Sequence, residues 1–60
     1  PMLDQNDFTI IEGHKKGLSP KDMKEEFEDL KIAEKTIYKR LKRLKDIGVI
    51  KDETNRQTVN

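Results

Sequence analysis

Four cations in one short stretch, Lys35, Lys39, Lys42 and Arg43, have the types and spacing to grip a chain of phosphates. They sit in IAEKTIYKRLKRLKDIGVI, residues 32–50. On a helical wheel at about 100° per residue they gather over an arc of about 100°. Ile37, Leu41 and Leu44 fall on nearly the opposite side, at the i, i+4, i+7 spacing of a core-facing stripe. A helix with one face for a core and the other for phosphates suits the groove of duplex DNA.

The charge distribution agrees with this reading, although the total does not announce it. Net charge is only +1. Residues 31–45 hold seven basic residues against Glu34 alone, and residues 20–30 hold five acids against Lys21 and Lys24. The chain is therefore a dipole, with a basic segment following an acidic one.

Enzymatic chemistry finds little support. There is no Cys to act as nucleophile, and neither a Gly-rich phosphate loop nor a paired-His metal motif occurs. Ser19 has no His partner in any local motif, and His14 cannot build a metal site by itself. No cofactor and no small-molecule ligand is expected. No apolar run reaches membrane-spanning length. With no signal-peptide pattern either, the expected location is the cytoplasm.

The elements that must position the cations can be read in turn. Sixty residues make one small domain, which buries only about 60% of its unfolded surface and needs well-packed helices or self-association. A first helix is expected at about 7–16, capped by Asn6 or Asp7 and stopped by Gly17. Phe8 and Ile11 are its expected core residues, with Ile10 a weaker candidate. Gly13 should weaken it by about 1 kcal/mol relative to Ala. Ser19-Pro20 is a start signal, a capping hydroxyl followed by a proline at the first helical position. It opens a second helix at about 20–28, with Met23, Phe27 and Leu30 on one face. After a tight connection over 29–32, the third helix runs from about 33 to 47 and stops at Gly48. Val49-Ile50-Lys51 then favours a strand, and Arg56 to Val59 could return as its partner.

The expected class is thus mainly α with a small β-hairpin. LSPKDMKEEF followed by IAEKTIYKRLKRLKDIGVI resembles the winged helix-turn-helix superfamily, in particular small prokaryotic and archaeal transcriptional regulators. Thr36-Ile37-Tyr38, Leu41, Leu44 and Gly48-Val49-Ile50 carry the resemblance in order and spacing. It implies a single domain over 1–60, with the third helix as recognition helix and a short wing at about 49–60. It also implies a transcriptional regulator, or the DNA-reading piece of a replication or partition protein. Base contacts would fall to Lys35, Thr36 and Lys39, with Tyr38 flanking them. Arg40, Lys42 and Arg43 would hold phosphates, although Arg40 could instead pair with an acid of the second helix. Ser19, at a helix start, could hold a further phosphate.

The chain departs from the pattern in two places. Ala33 stands where many relatives have a capping Ser or Thr, so another group must cap the third helix. The wing lacks an Arg-Gly tip and keeps only Arg56. One copy reads few base pairs, so a homodimer or a larger parent protein is expected, with Met2, Leu3 and the outer side of the first helix as candidate contacts. The competing reading is a protein-interaction module that docks through the acids Glu25, Glu26 and Glu28 of the second helix.

Overall fold

A computed structural model describes residues 2–51 of the chain. Its elements are three helices, α1 (Gln5–Lys15), α2 (Pro20–Glu26) and α3 (Glu34–Asp46). The longest, α3, packs against both of the others. Ile10, Met23, Leu30, Ile37, Leu44 and Ile50 form the buried core. Leu3, Ile11, Leu18, Phe27, Ile32 and Leu41 pack against it half-buried.

Each helix start has a local cause. At α1 the cap is Asp4, not Asn6 or Asp7 as the sequence suggested. Asp4 and Asp7 form a reciprocal box: the Asp7 N–H donates to Asp4 Oδ1 at 3.0 Å, and the Asp4 N–H donates to Asp7 Oδ2 at 3.1 Å. Two otherwise orphaned donors are satisfied at once. At α2 the Asp22 N–H donates to Ser19 Oγ at 3.2 Å, and Pro20 occupies the first turn. At α3 no side chain caps the first turn.

The stops of α1 and α3 are the same device. Gly17 and Gly48 take positive φ, 80° and 84°, where a Cβ would be strained. The Leu18 N–H reaches the Gly13 carbonyl at 3.0 Å and the Gly17 N–H that of His14 at 3.0 Å. At the end of α3, the Val49 N–H reaches Leu44 O at 2.9 Å and the Gly48 N–H reaches Lys45 O at 3.1 Å. This paired closure is the Schellman motif.

That second closure overturns the expected hairpin. Among the described residues there is no strand, and the architecture is three-helical. Val49 and Ile50, expected to open a wing, instead turn back over the last turn of α3. Their N–H groups face Leu44 O, and the Ile50 side chain enters the core. A backbone committed to closing a helix cannot present a strand edge at the same residues. The rest of the expected wing, including Arg56, lies outside the described residues.

Two further corrections concern packing. Phe8, expected inside, is 54% exposed, whereas Ile10 is fully buried. The inward face of α1 consists of Asp7, Ile10 and Gly13, and Phe8 lies about 100° away from Asp7 on the wheel. Helix α2 also ends earlier than expected. Phe27 turns to extended backbone, so 27–33 connects α2 to α3. The Leu30 N–H donates to Phe27 O at 3.0 Å in this connection, and Leu30 is buried. Lys24 Nζ donates to Ile32 O at 2.7 Å, tying the end of the connection back to α2. No helix among the described residues is long and apolar enough to cross a membrane.

Candidate nucleic-acid interface

The site is built on α3, whose inward side chains Ile37 and Leu44 are buried completely. These two anchors set the rotation of the helix. With them inside, Lys35, Lys39 and Lys42 must emerge on the far side, and all three are exposed. Lys35 and Lys39 are one helical turn apart, and Lys42 follows at the next. Tyr38 lies beside them, 56% exposed. Thr36 is half-buried at the edge of this face. The result is a strip of ammonium groups with one aromatic ring on its flank.

The arginines behave differently. Arg40, expected to hold phosphate or an acid of α2, is bound by the acids that cap α1. Its Nη1 donates to Asp4 Oδ1 at 2.9 Å, Asp4 Oδ2 at 3.0 Å and Asp7 Oδ1 at 3.1 Å. Asp7 is only 1% exposed, and its charge is met by this guanidinium. A buried carboxylate without such a partner would be costly. The Asp7 backbone N–H, and after it the Arg40 guanidinium, hold the Asp4 carboxyl below its usual range. Arg40 is raised in turn, chiefly by its hydrogen bond to Asp4.

Arg43 is shared. It leans toward Asp7, with Nη1 3.7 Å from Oδ2, and its Nη2 reaches the Met2 carbonyl at 3.5 Å. Both contacts are long, and the side chain remains substantially exposed. Lys42 meets Asp46 at 3.6 Å, one turn along the same helix. Both of those side chains are well exposed, so the pair contributes little and leaves the ammonium available.

Of the sequence-predicted residues, the structure therefore brings Lys35, Tyr38, Lys39 and Lys42 onto one exposed face. Arg43 stands at its edge. Arg40 belongs to the seam between α1 and α3. Ser19 sits at the start of α2, where its Oγ accepts the capping N–H. Helix α2 itself is only seven residues long. Sequence reasoning missed the partnership of Asp4 and Asp7 with α3. The signal available was an acid pair at i, i+3, which reads locally as a helix start and says nothing about a distant arginine.

On α2 and just beyond it, Glu25, Glu26 and Glu28 are exposed. Among the described residues, no cluster of His, Cys, Asp or Glu is placed to hold a metal ion. An open groove of about 400 Å³ lies between α1 and the end of α3, lined by Ile11, His14, Lys15, Val49, Ile50 and Lys51. None of Lys35, Lys39 and Lys42 lines it. No family model, curated protein or solved structure matches the chain, so a functional reading has to be built from this geometry and from the charge pattern.

Proposed function

We propose that the protein binds double-stranded DNA, with α3 entering the major groove as its recognition helix. The reading places it in the cytoplasm, as a transcriptional regulator or as the DNA-reading part of a replication or partition protein. It rests on α3 packed against α2 across the connection 27–33 and does not include a wing. The observation that carries it is the exposed strip Lys35–Lys39–Lys42, directly behind the buried anchors Ile37 and Leu44. A rigidly seated helix presenting cations outward can neutralise phosphates along a groove and release their counterions. Lys35 and Lys39, near the helix start, are the candidates for base edges, with Thr36 for a thymine methyl. Tyr38 lies against the groove wall. Lys42 and Arg43 hold phosphates. Arg40 takes no part in binding, because it is already committed to Asp4 and Asp7.

Titration of labelled protein with a mixed-sequence duplex, followed by NMR at low and moderate salt, tests this reading. Shifts should concentrate in residues 33–43 and fade as salt rises. The Lys35→Ala/Lys39→Ala variant should bind at least about tenfold more weakly, and removing any one cation that neutralises a phosphate should reduce the salt slope by about 0.9. Both side chains are exposed, so folding should be unaffected. Absence of shifts at low salt, or unchanged affinity in the double variant, would overturn the proposal. In that case a protein partner recognising exposed Glu25, Glu26 and Glu28 becomes the better reading.

A further inference from the structure

We propose that the outer flank of α1, together with the groove between α1 and the end of α3, pairs with a second copy of this chain about a two-fold axis. Phe8 is 54% exposed, Val49 is 42% exposed, and Ile47 is also exposed at the same end of α3 as Val49. Exposed large apolar side chains are candidates for an interaction surface. Ile11 lies one turn after Phe8 on the same side of α1 and lines the groove with Val49 and Ile50. The Phe8 ring therefore stands one helical turn from an open groove that is apolar at Ile11, Val49 and Ile50. An isologous interface requires this arrangement, because the ring of each copy must enter the groove of the other.

The rim is also self-complementary. Glu12 lies beside Ile11 on the outer side of α1, while Lys15 and Lys51 line the groove, and all three are exposed. Both signs are present on one face, so a copy can approach its twin without like charges being forced together. The lysine strip lies on another side of α3 and stays open in the pair. The inference deepens the DNA-binding reading, since two copies double the base pairs read. The pairing itself is measured without DNA.

Sedimentation equilibrium on the full chain, from micromolar to millimolar concentration, is the test. The mass should rise from monomer toward dimer. Only a few side chains make up the face, and small interfaces are weak, so the rise should come at the upper concentrations. Phe8→Glu and Val49→Lys should each hold the protein at monomer mass, with helix content unchanged and the thermal midpoint unchanged at low micromolar concentration, where the wild type is also monomeric. A mixture of labelled and unlabelled chains should show intermolecular NMR contacts between the Phe8 ring and the Val49 methyls, a readout that needs no variant. A monomer at every concentration overturns the proposal. So does a mass rise that survives either variant, or intermolecular contacts that fall elsewhere. The Lys35→Ala/Lys39→Ala variant should pair like the wild type. In the wild type, pairing without any DNA shifts at low salt would therefore sink the DNA reading and leave this one standing, and DNA shifts without pairing would do the opposite.

Discussion

Gly13 shows how far a residue's local cost can mislead. Judged by helix propensity it is a defect worth about 1 kcal/mol. In the fold it is the point at which α1 meets the connection side of α2. A Cβ placed there would lie 2.7 Å from Met23 Cγ and 3.1 Å from Phe27 Cε2. Met23 is fully buried, so its side chain has no solvent to move into. Overpacking a core by one carbon costs roughly 1–3 kcal/mol, which should exceed the propensity gain. Gly13→Ala is expected to lower the thermal midpoint by several degrees, at about 4–8 °C per kcal/mol for a domain of this size. A raised midpoint in a melting experiment would show that the contact is not close. Phe8 is the opposite case, a large apolar residue that the local pattern assigned to the core and that the fold leaves outside.

Among the elements, α3 is the best specified by its own sequence and the least finished at its start. Its apolar stripe and its glycine stop are both local signals. Its first turn begins at Ala33, whose backbone is already extended, φ −65° and ψ 151°, as a capping residue requires. The side chain simply lacks an oxygen. Ala33→Ser should supply the missing acceptor and stabilise the protein by about 0.5–1 kcal/mol. Chemical denaturation would reveal it as a higher midpoint with an unchanged slope. If Ala33 faces phosphate in a DNA complex, the same variant should not weaken binding. Helix α2 is short, and its shortness is a tertiary matter: Leu30 is buried only because Phe27 leaves the helix and the chain turns.

For the whole molecule, the seam between α1 and α3 is the main electrostatic feature. Asp4, Asp7, Arg40 and Arg43 tie the first turn of α1 to the middle of α3. Because the Asp4 carboxyl titrates below its usual value in the folded state, it stabilises the fold at pH above the unfolded carboxylate value of about 3.9. That contribution is lost as pH falls through the lower folded value. Stability should therefore decline in acid below about pH 4, and Asp4→Asn should flatten part of that decline. Thermal melts across the acid range would measure it. An identical acid limb in the variant would mean that the Asp4–Arg40 contact contributes nothing in solution.

The helical plan and much of the candidate site were legible in the residues themselves. Periodicity separates Ile37 and Leu44 from Lys35, Lys39 and Lys42, because one rotation of one helix decides both sets. Ser19-Pro20, Gly17 and Gly48 mark their boundaries because caps and left-handed stops are satisfied within a few residues of chain. What lay beyond the sequence was every choice that depends on a second element. Whether Val49 and Ile50 form a strand depends on whether a partner edge exists, and here their N–H groups close α3 instead. Whether Arg40 meets phosphate depends on Asp4 and Asp7, more than thirty positions away. Whether Phe8 or Ile10 enters the core depends on which side of α1 the buried Asp7 turns toward α3. Local hydrogen bonding and helical period are properties of a segment, whereas ion pairing and burial are properties of two segments brought together, and only the tertiary fold decides those.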